Sequence, residues 1–399
     1  MTAPSLNDID QTMPVCSRTT TTEISARVHR SWTTLEPEFP AWEALLDDAL
    51  YASIYATHEF CRLGWEAFHQ HESALFVVTL YHDEQLIAVF PMRLEDTRVA
   101  GIRHTVLMPV HLREADKPYP LIAKAFVEQA WAEFMRVAMA HRQEWDILNW
   151  PELPDELPGV DCLRESLRAY GSLRLETQPD ASGPLVDLAQ DQDTFTGRHR
   201  RFRRALRRLH KQTEGEVTLK LYSEAADMED ALKHYTDVER RSWKAGRIGV
   251  SRNARALQFH QTLCPALAKR GRIVIAILFD GETPISAEIA YICRERVFFS
   301  HGAFDSGYAD LSPGKISTGL FIGSFLQGQY RWGDFLAGFA DYLEPWSDTT
   351  MTSREVFVYQ PRPAALVLWA WRKLGLRKKL SLLRQSVRER LTRQKALAK

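Results

Sequence analysis

The stretch Val297–Gln329, VFFSHGAFDSGYADLSPGKISTGLFIGSFLQGQ, constrains this chain most. It predicts a buried strand over Val297–Ala303, a polar loop with glycines, and a helix opening at Ser312-Pro313-Gly314-Lys315. Ser312 suits an N-cap and Pro313 the first helical position, while Ile316, Leu320, Gly323 and Phe325 recur at helical spacing on an apolar face. A helix start with free N–H groups beside a glycine and a lysine suits an anion, phosphate above all. An ordinary capped helix explains the same residues, and LSPGK lacks the GxxxxGK[ST] spacing of a P-loop. The neighbouring sequence has to decide.

At 399 residues the chain has room for two domains of roughly 100–200 residues each. A formal net charge of +0 conceals a segregation: 361–399 carries twelve Lys/Arg against the single acid Glu389, and Arg198–Lys211 carries eight and no acid. Basic patches on an otherwise acidic protein point to anionic partners such as a membrane surface, nucleic acid or a phosphorylated substrate. The five cysteines are scattered without a CxxC pair, which fits a reducing compartment with neither zinc nor a disulfide framework. No signal peptide is visible and no run approaches the ~18 apolar residues of a spanning helix, so the expected location is cytoplasmic.

Helices are expected at Glu36–Leu50 and His58–His69, followed by a hairpin of Ala74–Tyr81 and Leu86–Leu94 turning at His82–Gln85. A strand at Val99–Pro109, a long helix at Leu121–His141, a strand at Trp145–Asn149, a short helix at Leu163–Tyr170 and a strand at Leu185–Leu188 complete the first half. The basic helix Arg198–Lys211 leads into a strand at Glu216–Tyr222 and helices at Ala225–Lys244 and Ala254–Lys269. Three antiparallel strands follow (Arg272–Phe279, Ile285–Cys293, Val297–Ala303), then the helix at Ser312, and short strands at Trp332–Leu336 and Val356–Tyr359. Both halves therefore read strand, two helices, three strands, long helix, strand. That order resembles the βααβββαβ core of the GNAT acyltransferase fold, met twice. The expected fold class is α/β with mixed sheets: two tandem GNAT (acyl-CoA N-acyltransferase) domains and a basic amphipathic tail. The expected division is a leader at 1–22, a degenerate domain at 23–190, a catalytic domain at 191–360 and the tail at 361–399.

The segments THEFCRLGWEAFHQHESALFVVTLYHDEQLIAVFPMRL, HRRFRRALRRLHKQ, RRSWKAGRIG, GETPISAEIA, HGAFDSGYADLSPGK and GDFLAG resemble, in order and spacing, CelD/BcsL-type acetyltransferases. These are tandem-GNAT proteins of the FemAB-like group, linked to cellulose, exopolysaccharide and cell-envelope synthesis. The resemblance runs from His58 to Trp346. It implies an acetyl or longer acyl group moved from acyl-CoA, without a metal, to an amine or hydroxyl of a glycan, nucleotide-sugar or lipid-linked envelope precursor. The family commonly has D-F-L-x-G-x-x-x-Y-K here; Asp334–Gly338 is followed by Asp341-Tyr342-Leu343, so the lysine is Leu343. Lys315 or Lys244 would then have to hold an anionic group.

Acyl transfer needs a base, donors for the oxyanion, an acid for the thiolate and a cradle for the pyrophosphate. The resemblance implies that a backbone N–H at a splayed strand supplies the oxyanion donor. Glu288 interrupts an apolar strand and is either the base or a solvent-facing acid. Glu239 is either turned into the cleft or one more surface acid. His301 and Asp305 flank the bend after the third strand, the histidine suiting proton transfer or simply anchoring the loop. Tyr308 is placed to protonate the thiolate, or packs. Ser312, Gly314 and Lys315 are expected to bind the cofactor. Trp243 and Lys244 would line the acceptor pocket, and Asp341 and Tyr342 would close it.

The basic helix Arg198–Lys211 has three readings: a solvated face, a site for phosphates of a nucleotide-sugar or lipid-pyrophosphate acceptor, and, weakest, a tRNA contact. In the tail, Leu376, Leu380, Leu383, Val387 and Leu391 keep helical spacing among basic residues, preceded by Trp369 and Trp371. Residues 366–395 are therefore expected to lie on the anionic inner face of a membrane, or else to pack on the protein or a partner. Two other functions compete with acyl-CoA-dependent transfer. One is FemAB-like transfer from aminoacyl-tRNA; the other is a catalytically dead scaffold for a membrane polysaccharide synthase.

Overall fold

The computed structural model describes residues 24–99, 101–110, 117–213, 216–336 and 343–373. The first half runs β1 (Ser25–His29), α1 (Phe39–Asp48), α2 (His58–Phe68), β2 (Ser73–His82), β3 (Gln85–Val99), β4 (Ile102–Pro109), the two-residue β5 (Leu121–Ile122), α3 (Val127–Ala140), β6 (Ile147–Pro154), α4 (Gly159–Leu167) and β7 (Arg174–Asp187). The second runs α5 (Gln192–Arg198), α6 (Arg200–Gln212), β8 (Val217–Tyr222), α7 (Met228–Arg241), α8 (Ala254–Ala268), β9 (Ile273–Asp280), β10 (Thr283–Cys293), β11 (Arg296–Phe304), α9 (Pro313–Gly323), β12 (Trp332–Asp334), β13 (Thr349–Tyr359) and α10 (Pro363–Lys373). The fold is mixed α/β, as expected.

All strands share one sheet in the order β1-β2-β3-β4-β6-β13-β7-β12-β11-β10-β9-β8, with β5 beside β3. The last strand of each half crosses over: β13 pairs with β6 of the first half, and β7 pairs with β12 of the second. The β7–β13 ladder closes the seam, running from Thr349↔Leu185 to Tyr359↔Arg174. Neither half completes its sheet without the other.

Period-two alternation sets which side chains meet which helices. Ile273, Ile275, Ile277, Ala287, Ile289 and Tyr291 join a core with Tyr235 and Val238 of α7 and Leu263 of α8. The alternate residues Ala276, Ala290, Val297 and Phe299 face Phe321 and Ile322 of α9. Glu288 has the parity of Ala290, so it projects into the α9 layer rather than into solvent.

The structure moves several expected boundaries. Val99 ends β3, and the chain turns at Gly101 before β4. The long helix begins only at Val127, because Leu121–Ile122 pairs with β3 instead. The short helix falls at Gly159–Leu167 rather than at Leu163–Tyr170, while β6, β7 and β13 extend well past the apolar runs that predicted them. Their added residues are largely polar (Thr177, Gln178, Ser182, Thr350, Thr352) and are paired across the seam, a long-range arrangement that local alternation does not reveal. Ser312 does sit at the N-cap of α9, but in the left-handed region (φ 57°) and without a side-chain capping bond.

The tail is also revised where it is described. Ala365 of α10 is buried, and Leu368 and Trp369 pack on Ile147, Phe357 and Tyr359. Arg174 lies 4.1 Å over the Trp369 ring and Arg372 lies 3.6 Å over Phe357. This first part of the tail folds back on the sheet instead of presenting Trp369 to a membrane, and 374–399 lie outside the described residues. No helix among the described residues is long and apolar enough to cross a membrane.

Candidate functional site

β11 and β12 run parallel through three residue pairs, Arg296↔Trp332 to Phe298↔Asp334, and then part. Beyond that point β11 pairs with no strand on its β12 side among the described residues. A cavity of ≈ 520 Å³ opens in the V, lined by Phe299–Phe304 on one arm and Phe335–Leu336 on the other. The β10–β11 ladder also jumps from Ile289↔His301 to Ala290↔Phe299, so Ser300 is the extra residue of a bulge. Splay and bulge together interrupt the β11 ladders where the chain lines the cavity.

Glu288 stands in the wall, 8% exposed, opposite Gly302 on β11. Thr318 of α9 donates a hydrogen bond to its Oε1 at 3.0 Å. Burial pushes the carboxyl up to about 7, against the opposing pull of the α9 hydroxyls and the Lys244 charge. A carboxyl that titrates near neutrality beside a cavity has the properties of a general base. Lys244 lines the same cavity, donates to the Gly302 carbonyl at 2.6 Å, and is itself shifted down by burial.

His301 lines the cavity, but its neighbour limits what it can do. The Nδ1 of buried His260 lies 2.8 Å from the Ala256 carbonyl and so carries the proton. The His260 Nε2 is therefore an acceptor, and the facing His301 Nε2, 3.3 Å away, must be the donor. Burial lowers His260 to about 4 and His301 well below the usual range, with each further opposed by cationic neighbours. Both rings are neutral at pH 7, and His301 is a weak proton acceptor. The unfolded chain binds these protons from about pH 6.5 downward and the folded chain does not, so the pair contributes stability above that pH that is lost as pH falls toward 4. In urea titrations, His260→Gln is expected to show a shallower loss of stability between pH 6.5 and 4 than the parent; equal slopes would exclude the pair as the cause.

Ser312, Gly314 and Lys315 line the cavity at the start of α9, as does Trp243 at its mouth, 59% exposed. Three other expected residues lie elsewhere. The Glu239 carboxylate is buried and accepts from the backbone N–H groups of Val250 and Ser251 and from the Ser251 hydroxyl, so it holds that loop. Asp305 accepts from Gly307 N–H at 2.8 Å and from Arg241 at 2.7 Å, fixing the turn before α9. Tyr308 donates to Asp280 at 3.2 Å and packs beside Leu278 and Ile285, away from the cavity lining. Asp341 and Tyr342 lie outside the described residues. Leu343, where the resembled family has lysine, is buried in the cavity wall.

Thr318, His260 and Ser300 were missed by sequence reasoning. The adjacent polar pair Ser317-Thr318 inside an apolar helix was the one local signal for the first; the other two needed the register. Elsewhere, Glu43, His58 and Glu59 bring potential metal ligands within 4.8 Å of one another. Arg270 and Arg272 already meet those carboxylates across the two halves, which disfavours a cation there.

A parallel strand pair parting over a cavity, with a helix start at its rim and a buried carboxyl in its wall, defines an acyl-transfer domain of the GNAT class. Residues 196–343 match the sequence profile of the family described as Acetyltransferase (GNAT) domain, and the protein is an acyltransferase. No curated protein is similar in sequence. Among solved structures, FemX is similar at 8% identity with a TM-score of 0.58, over 82% of this chain and 98% of that one. A conserved protein of unknown function from Bacteroides thetaiotaomicron gives 9% and 0.52, over 81% and 97%. A C-terminal domain bearing the name lysylphosphatidylglycerol synthetase, from Agrobacterium fabrum, gives 10% and 0.50, over 84% and 95%. These likenesses extend the fold assignment to most of the chain.

Proposed function

We propose that the second half transfers an acetyl or longer acyl group from acyl-CoA to an amine or hydroxyl of a cell-envelope or exopolysaccharide precursor, in the manner of the CelD/BcsL-type proteins it resembles. Glu288 carries this reading: a buried carboxyl with its titration near 7 faces a cavity bounded by the start of α9. The ionised carboxylate takes the proton from the attacking N–H or O–H. The nucleophile attacks the thioester carbonyl, whose oxygen is held by backbone N–H donors in the splay around Ser300, and the CoA thiolate departs. Protonated Glu288 can return the proton, which removes the need for a separate tyrosine acid. Ser312, Gly314 and Lys315 hold the pyrophosphate of the donor. Trp243 offers a flat face to a sugar acceptor. The first half, whose β4 and β6 pair in parallel over Val106↔Ile147 and Leu107↔Leu148, serves as the non-catalytic partner.

An envelope acceptor on the inner face of the cytoplasmic membrane fits the fold shared with a domain named for lysylphosphatidylglycerol synthesis. A second reading, FemAB-like, makes the transferred acyl group an aminoacyl group delivered on tRNA.

Calorimetric titration with acetyl-CoA and longer acyl-CoAs tests the donor. A Cβ at Gly314 would already stand 3.0 Å from Phe304, so Gly314→Glu fills the rim and adds negative charge. Acyl-CoA binding is expected in the parent and at least ~10-fold weaker in that variant, because a carboxylate beside the pyrophosphate is repelled by it. Absence of binding to any acyl-CoA, with transfer from charged tRNA instead, would move the assignment to the second reading.

A further inference from the structure

A second groove, of ≈ 340 Å³, lies between α6, the start of α9 and the turn at Trp346. Arg200, Arg201, Arg204, Lys315, His199 and Trp346 are among its walls. Lys315 also lines the reaction cavity, so the two spaces meet at its side chain.

Among the described residues no carboxylate pairs with Arg200, Arg201, Arg204 or Lys315. Within Arg198–Lys211 the only ion pair among the described residues joins Arg198 to Asp348. The first turn of α6 holds arginines and no acid, and no side chain caps it. Cations at the positive end of a helix dipole are unfavourable unless an anion sits among them. A second observation is independent of charge. Trp346 is 2% exposed, and its indole N–H has no partner among the described residues, which is costly for a buried donor. The groove is also held close to the cavity: a side chain at Gly319 would run into Phe202 at 2.6 Å and Trp346 at 2.8 Å, so this glycine lets α9 lie against α6.

We infer that this groove binds a phosphate-ester group, a mono- or diphosphate, of the co-substrate whose reactive end lies beside Glu288. Lys315 spans the step between the two. The inference rests on the acyl-transfer reading of the cavity. The volume of the groove, ≈ 340 Å³, accommodates a small anionic group. The phosphate can belong to the CoA donor or to a nucleotide- or lipid-linked acceptor.

The test is calorimetry on the full chain with inorganic pyrophosphate, CoA, 3′-dephospho-CoA and UDP-N-acetylglucosamine, in the parent and in Arg201→Ala/Arg204→Ala. Both arginines are exposed, so the variant is expected to fold; circular dichroism checks this, and an Arg201→Lys/Arg204→Lys variant that retains binding separates charge from shape. Pyrophosphate is expected to bind the parent and to weaken ~10–100-fold in the alanine variant, with a marked salt dependence. A matching loss for CoA, smaller for 3′-dephospho-CoA, assigns the phosphate to the donor. Unchanged CoA with weakened UDP-N-acetylglucosamine assigns it to the acceptor. Pyrophosphate that binds neither protein, or both alike, overturns the inference. Acyl-CoA turnover that depends on Glu288 with no groove effect removes the groove alone. Groove-dependent pyrophosphate binding without acyl-CoA turnover removes the acyl-transfer reading alone.

Discussion

Glu288→Gln is expected to lower turnover by ~10²–10⁴-fold, the usual contribution of a positioned general base, while making the folded protein more stable at pH 8. The two effects have one cause. Glu288 is raised from 4.5 to about 7 because its charged form is desolvated in the α9 layer. Between those two values the folded chain holds a proton that the unfolded chain has released, so the carboxyl weakens the fold progressively as pH rises through that window. Glutamine fills nearly the same volume and cannot ionise. The stability advantage of the variant should therefore be small at pH 5 and reach about 3 kcal/mol at pH 8, because each tenfold change in the ionisation equilibrium corresponds to about 1.4 kcal/mol. In the parent, kcat/KM should rise with pH through about 7 as the carboxylate forms, and the variant should lack this limb. Urea denaturation at the two pH values, beside a pH–rate profile, reads both. A variant with full activity and an unchanged pH profile would remove Glu288 from the chemistry. The same acid window contains the opposing contribution of His260 and His301, so the parent alone should look flatter than either effect. The variants are what separate them.

Lys117→Met is expected to destabilise the protein by about 3–5 kcal/mol, the order found when one partner of a buried ion pair is removed. The Lys117 Nζ donates to Asp334 Oδ1 at 2.8 Å, and the side chains are 1% and 0% exposed. Arg296 stands further from the other oxygen, at 3.5 Å, and replaces the missing charge only in part. Asp334 also accepts from the Leu336 N–H at 2.8 Å, holding Leu336 with φ at 63° where it lines the cavity. Gly183 of β7 comes so near this turn that a Cβ would lie 1.6 Å from the Leu336 carbonyl oxygen. A lysine of the first half thus supports one wall of the cavity in the second. Adding Asp334→Leu to Lys117→Met should recover part of the stability, because no buried carboxylate is left unpaired. It should not recover activity, because Leu336 remains unanchored. Denaturant midpoints for the two single variants and the double give the coupling. A Lys117→Met protein within about 1 kcal/mol of the parent would show that Arg296 suffices.

Much of the second half was legible in the sequence. The runs Arg272–Phe279, Ile285–Cys293 and Val297–Ala303 each became a strand within a few residues, because fully apolar segments flanked by turns carry their own signal. The helix start at Pro313-Gly314-Lys315 was equally local, since a fixed proline φ and apolar spacing after it are properties of neighbours in sequence. Glu288 stood out as one acid in an apolar strand, but its neighbours allowed two faces. Its role became an argument only with the register that sets it against Gly302 and beneath Thr318.

Asp305, Tyr308 and Glu239 show the opposite case. Each lies close in sequence to residues that line the cavity, yet their polar groups are engaged by Arg241, Asp280 and the Val250–Ser251 backbone. Sequence proximity does not say where a side chain points once a turn intervenes. The crossing of β7 and β13 was invisible for a related reason: polar strands at a seam are held by backbone bonds to residues more than 160 positions away, and nothing in their own composition requires it. What the sequence determined by itself was the order of elements, the buried faces and the helix start, all products of short-range periodicity and backbone preference. What only the tertiary structure decided was the parting of β11 from β12, the burial that shifts Glu288, and the lysine reaching across from the first half, because each depends on which distant chain segment excludes water from that place.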